Sequence, residues 1–153
     1  MESLIVVVSV HHGNTELIAR VIGEVLKAEV REPEEVDLSE LGSFDLLGFG
    51  SGIYFGRFHR RLVHFVKSLP PSWGRPVFVF STSGLGKEGY NRSLERILTI
   101  RGYKLVGSFA CRGYDTFGPF RFFGGLNRGK PGREELERAK GFALAVLESL
   151  RVK

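Results

Sequence analysis

Short apolar runs alternate with segments of helical period along the chain. Leu4 to Val8 is a continuous, largely β-branched run, the pattern of a strand buried on both faces. Leu17, Ile18, Val21, Ile22, Val25 and Leu26 then recur on one helical face. Ala28 to Arg31 predicts a short second strand, continued irregularly through Glu35 to Leu38, and Phe44 to Gly50 predicts a third. Phe58, Leu62, Phe65, Val66 and Leu69 return to helical spacing, with Pro70-Pro71 to stop that helix. Val77 to Phe80 reads as a fourth strand, and Leu94, Ile97 and Leu98 as a third helix. Leu105 to Cys111 reads as a fifth strand, and Leu136, Ala139, Ala143, Val146, Leu147 and Leu150 as the last helix.

Strand–helix alternation of this kind predicts an α/β fold, a parallel sheet with helices on both faces. Right-handed crossovers leave few five-stranded topologies, and 2-1-3-4-5 is the expected order. Ligands of such sheets bind beyond the carboxyl ends of the strands, beside the switch point between the first and third. The loops that follow those strands are therefore where chemistry is expected.

Length and charge narrow the field further. The 153 residues fit one domain, spanning 1–153. The longest apolar run is far short of the roughly 20 residues a membrane span needs, and no basic region precedes it as in a signal peptide. The single cysteine, Cys111, can form no internal disulfide and no cysteine-based metal site. These features predict a cytoplasmic protein without a membrane span. The formal charge is +5 and the isoelectric point about 9.6. That charge serves general solubility, or else forms a basic face for an acidic partner. No nucleic-acid-binding motif accompanies it.

The loop after the first strand reads Ser9-Val10-His11-His12-Gly13-Asn14-Thr15-Glu16. A turn at a helix N-terminus presents backbone N–H groups and the positive dipole end to a phosphate. Gly13 permits close approach, while Asn14 and Thr15 can add donors or simply cap the helix. Adjacent histidines in a tight loop rarely share one metal ion, so no metal is expected at His11 and His12. The third strand leads into Ser51-Gly52-Ile53-Tyr54-Phe55-Gly56-Arg57-Phe58-His59, two aromatics framed by glycines. The fourth opens into Ser81-Thr82-Ser83-Gly84-Leu85-Gly86, with Tyr90 beyond. Between Gly113 and Gly132 lies a long loop holding Tyr114, Phe117, Phe120, Phe122 and Phe123, suited to a lid, a docking face, a dimer contact or a satellite core.

Gly13-Asn14-Thr15, with Ala19 beyond, resembles the phosphate-binding signature of flavodoxins, in which the loop usually reads Ser/Thr-x-Thr-Gly-Asn-Thr. This chain departs from it at Val10 and His12, where hydroxyls are usual, and His12 or His11 could donate an imidazole N–H instead. The resemblance implies a flavodoxin-like three-layer sandwich, a five-stranded parallel sheet of order 2-1-3-4-5 with helices on both faces. It also implies FMN as cofactor and electron transfer as function, with no catalytic residue required. The cofactor-binding positions it implies are His11, His12, Gly13, Asn14 and Thr15 at the phosphate. Ile53, Tyr54, Phe55 and Gly56 would border the ring, Thr82, Ser83 and Gly84 its pyrimidine end, and Tyr90 could stack on it. The segment from Ile53-Tyr54 to His59 also resembles flavodoxin-type menaquinone-dependent protoporphyrinogen oxidases. That likeness implies the alternative of an FMN-dependent oxidoreductase acting on a quinone or other planar substrate. The expected partner of a carrier is a redox protein, acidic if the basic charge is a docking face, and the chain a monomer or weak homo-oligomer.

Other motifs fail on inspection. Gly124 to Lys130 matches Gly-x-x-x-x-Gly-Lys, but Pro131 replaces the magnesium-binding hydroxyl and no strand precedes it. Neither Gly-x-Gly-x-x-Gly nor Gly-x-Ser-x-Gly is present, which argues against a nicotinamide site and a hydrolase nucleophile. Asn91-Arg92-Ser93 matches a glycosylation sequon, read as accidental.

Overall fold

The computed structural model describes residues 1–10, 13–113 and 131–151. The expectations placed on His11, His12 and the aromatic residues of the long loop, Tyr114 to Phe123, lie outside the described residues. Six strands are present among the described residues: β1 (Ser3–Val8), β2 (Glu29–Arg31), β3 (Leu46–Tyr54), β4 (Arg57–Phe58), β5 (Pro76–Ser83) and β6 (Lys104–Arg112). The helices are α1 (Asn14–Leu26), α2 (Arg60–Lys67), α3 (Arg92–Ile100) and α4 (Arg133–Arg151).

The main sheet runs β2-β1-β3-β5-β6, every pair parallel, while β4 folds back antiparallel on β3. Apart from that two-residue addition, this is the expected 2-1-3-4-5 order. Alternation along the central strands divides their side chains between two cores. Leu4, Val6 and Val8 of β1 join Leu47 and Phe49 of β3 and Val77 and Val79 of β5 beneath α2 and α3. Ile5 and Val7 join Leu46, Phe78 and Phe80 beneath α1 and α4. A strand buried on both faces needs no polar positions, hence the unbroken run of Leu4 to Val8.

Gly48 and Gly50 are placed for a steric reason. They sit on the α1/α4 side of β3, and a Cβ on either would come within 2.2–2.3 Å of the ring of its cross-strand neighbour, Phe78 or Phe80. Two large rings on β5 thus close over two absent side chains on β3. Phe142 of α4 completes the layer, 5.8 Å from Phe78 and 5.3 Å from Phe109 between ring centroids.

Strand β3 extends four residues past its expected end, so Ser51-Gly52-Ile53-Tyr54 is strand rather than loop. The expected irregular stretch from Glu35 to Leu38 runs from the end of one short 3-10 turn, Pro33–Glu35, to the start of another, Leu38–Ser43. Each is closed by a reciprocal cap, Glu32 with Glu35 and Asp37 with Glu40. Helix α2 ends at Lys67, one turn before Pro70. No helix among the described residues is long and apolar enough to cross a membrane.

Candidate functional site

At the carboxyl edge of the sheet, the register sets Val8 beside Ser51, Gly52 beside Thr82, and Thr82 beside Cys111. Three loop regions therefore emerge at one pole. Helix α1 begins there on Gly13, held at φ 69° in the left-handed region that favours glycine. No side chain caps the helix from that position. Its first helical bond is Leu17 N–H to Gly13 O at 3.1 Å, so the amides of Asn14, Thr15 and Glu16 precede the ladder. Ser9 Oγ accepts from the Glu16 N–H at 3.1 Å. Among the described residues, no heavy atom lies within 4 Å of where a Gly13 Cβ would stand. Among the described residues the space beside Gly13 is open, and it lies at the positive end of the helix dipole.

Two neighbouring side chains are tied into the fold. The hydroxyls of Thr15 and Thr82 share a buried hydrogen bond of 2.7 Å across 67 residues of sequence. Asn14 lies against Gly113, where a Cβ would come within 2.7 Å of the Asn14 amide nitrogen. Gly113 is anchored in turn by its N–H to Ser83 O at 3.0 Å. Ser83 Oγ accepts from Gly86 N–H at 2.7 Å, shaping the loop after β5, in which Gly84 is buried.

The second region is the β3–β4 hairpin. Ile53 pairs with Phe58 and Tyr54 with Arg57, leaving Phe55-Gly56 as a two-residue turn. Both turn residues have positive φ, 52° and 79°, as in a type I′ turn. Such turns favour Asn-Gly, and a bulky residue in the left-handed region carries a cost of about 1–2 kcal/mol. Phe55 nonetheless occupies it, with 84% of its surface exposed. Gly56 is open except toward Tyr90, whose ring edge lies 4.0 Å from a Cβ built there. Tyr54 packs across Gly52 and meets His59 edge to face at 5.5 Å. Ile53 turns instead toward the α2/α3 core.

The hairpin is braced by Ser51 and His59 at its base. Ser51, fully buried, donates to Gly52 O at 2.7 Å and accepts from His59 N–H at 3.0 Å. His59 Nδ1 accepts from Arg61 N–H at 3.1 Å and so caps α2. Arg61 reaches Glu32 and Glu34, and its hydrogen bond holds the Glu34 carboxyl at a pKa of about 2. Asn91 is fully buried, accepting from Ser81 Oγ at 2.6 Å and donating to Ser108 Oγ and Phe109 O. A glycosylation acceptor has to be exposed, so the sequon is structural. Burial pushes the Cys111 thiol up to about 12, with the nearby Glu135 charge adding to it. The thiol is protonated at neutral pH and packs as a small apolar group.

Relieving the turn should be visible in stability. Phe55→Asn places a residue that tolerates the left-handed region ahead of Gly56, and a gain of about 0.5–1 kcal/mol is expected. Urea unfolding checks this, and a midpoint that stays put or falls would show that Phe55 earns its conformation by packing.

A family profile described as a flavodoxin domain matches residues 4–102. An uncharacterized protein of Methanocaldococcus jannaschii is 37% identical over 97% of this chain and 100% of its own length. Among solved structures, an archaeal flavodoxin superposes with a TM-score of 0.73 at 17% identity, covering 99% of both chains. A variant of the Fusobacterium nucleatum flavodoxin bound to flavin mononucleotide matches with a TM-score of 0.66 at 16% identity, covering 96% of both chains. These solved structures share the three-layer α/β architecture described above. The chain belongs to the flavodoxin family.

Proposed function

We propose that this protein is an FMN-binding electron-transfer flavodoxin, with the cofactor at the carboxyl edge of the sheet. The observation that carries the reading is the placement of two unusual turns at one pole. One is the open, left-handed helix start at Gly13, and the other the exposed Phe55-Gly56 turn of the hairpin. The first suits a single terminal phosphate, and the second offers aromatic walls and open backbone to a planar ring. The residues present fit FMN, and the flavodoxin domain match supports it.

On this reading Gly13, Asn14 and Thr15 hold the phosphate, with His11 and His12 adding imidazole donors. Tyr54, Phe55, Gly56 and Tyr90 border the ring, and Ser83 and Gly84 serve its pyrimidine end. Ile53 contributes from beneath, by seating the hairpin on the α2/α3 core. Thr82 acts through Thr15, because its hydroxyl is buried and already bonded. FMN, when bound, supplies the electron chemistry, and the protein sets access and orientation. The partner is a second redox protein, and the isoelectric point supports an acidic one. We read the chain as one domain spanning 1–153, cytoplasmic, and a monomer or weak homo-oligomer. The exposed turn favours this carrier reading over an oxidoreductase, whose substrate would need a covered cavity.

Reconstitution tests it. Apoprotein titrated with FMN should gain flavin absorbance and quench flavin fluorescence at one equivalent, and FAD should bind more weakly because the helix start suits a single terminal phosphate. Preferential uptake of FAD, or no uptake of either flavin, would end the proposal.

A further inference from the structure

Positive charge is concentrated in the middle of the chain. Residues 54–113 carry eleven arginines and lysines against two acids, Glu88 and Glu95. Residues 29–45 carry seven acids against Arg31 alone, while α4 is balanced, four against four. Helices α2 and α3 pack side by side on the same core, so their outer surfaces are continuous. Arg57, Arg60, Lys67, Lys87, Arg92 and Arg96 are exposed there. Among the described residues, none of the six has a carboxylate within ion-pair distance. Glu95 is half-buried and accepts from Ser108 Oγ at 2.9 Å, leaving Glu88 as the exposed acid of the segment.

We infer that the outer face of α2 and α3, with the Phe55-Gly56 turn at its upper end, is the docking surface for an acidic redox protein. Charge placed for solubility is interspersed in sign, whereas like charges gathered on one face repel and destabilise the fold. The face is continuous with the proposed flavin site, since Arg57 pairs with Tyr54 and Gly56 lies beside Tyr90. An exposed phenylalanine next to a cation-rich helical face has the make-up of a protein interface, an apolar centre with a polar surround. That combination favours a protein over nucleic acid or an anionic membrane. The redox character of the partner rests on the function proposed above, whereas the location and sign of the surface do not. In each encounter one electron leaves the reduced centre of one protein and enters the oxidised centre of the other, so no further reactant is needed.

The test compares two triple variants of equal charge change. One is Arg60→Glu, Arg92→Glu and Arg96→Glu on the α2/α3 face, and the other Lys104→Glu, Lys140→Glu and Arg151→Glu elsewhere. Stopped-flow electron transfer is measured between each FMN-loaded protein and an acidic [2Fe–2S] ferredoxin, with a basic c-type cytochrome as the opposite probe. At low ionic strength the α2/α3 variant should lose about tenfold or more in rate with ferredoxin, and the other variant about twofold or less. The cytochrome rate should rise in the α2/α3 variant, and salt should suppress the wild-type ferredoxin rate. Equal losses in both variants, or no salt dependence, would overturn the surface. So would binding of a DNA duplex or phosphatidylglycerol vesicles that the α2/α3 variant alone loses while its ferredoxin rate is unchanged. If the chain takes up no FMN, the function proposed above fails first. Amide shifts on titration with oxidised ferredoxin then still decide the surface, supporting it at α2 and α3 and overturning it if elsewhere or absent.

Discussion

Gly50→Val should destabilise the protein by about 3 kcal/mol, the upper part of the range for overpacking a filled core. The Phe80 ring occupies the space a side chain at position 50 would need, and that ring is itself fully buried. It cannot swing aside cheaply, because Phe78 lies 6.1 Å away between centroids and the α1/α4 layer covers it. Gly50→Ala should be milder in volume but act by the same contact. Phe80→Leu alone should cost about 1–2 kcal/mol through lost packing. The double variant Gly50→Ala with Phe80→Leu should be more stable than the sum of the two losses implies, because the smaller side chain gives the methyl room. Urea unfolding of the four proteins provides the cycle. Strict additivity would mean that the collision with Phe80 is not what keeps glycine at position 50.

That pairing also shows what the sequence could and could not reveal. Strand β1 was legible because a parallel strand buried on both faces leaves a run of apolar residues, as Leu4 to Val8 does. The end of β3 was not, because Gly50-Ser51-Gly52 has the composition of a loop. The residues that make it a strand stand on β5, about thirty positions away. The two-residue strand β4 is too short to show any period, and Phe55-Gly56 lacks the Asn-Gly or Asp-Gly signature of its turn. The caps at Glu32–Glu35 and Asp37–Glu40 did leave a signal, an acid three residues before another. Loop chemistry was legible in kind, since Gly13, Asn14, Thr15, Thr82 and Ser83 do gather at one edge of the sheet. Which hydroxyls are spent on the fold was not. The Thr15–Thr82 bond and the buried hub at Asn91 are tertiary facts with no local pattern.

The difference in burial separates two substitutions that look equivalent in sequence. Asn14→Ala should lower FMN affinity by about 1–3 kcal/mol, the scale of a hydrogen bond to a charged group. It should cost the apoprotein less than Thr15→Ala does, because Asn14 is only partly buried whereas Thr15 is fully enclosed. Thr15→Ala should weaken FMN binding too, but it should also cost the apoprotein about 1–3 kcal/mol by leaving the buried Thr82 hydroxyl without its partner. Thr15→Ser keeps that hydroxyl and should recover most of both losses, whereas Thr15→Val keeps the shape and should recover neither in full. Flavin fluorescence titration reads the affinity, and urea unfolding without flavin reads the fold. Should Thr15→Ala lose affinity while the apoprotein keeps its full stability, the Thr15–Thr82 bond would contribute nothing to the fold, and both hydroxyls would have to be assigned to the cofactor.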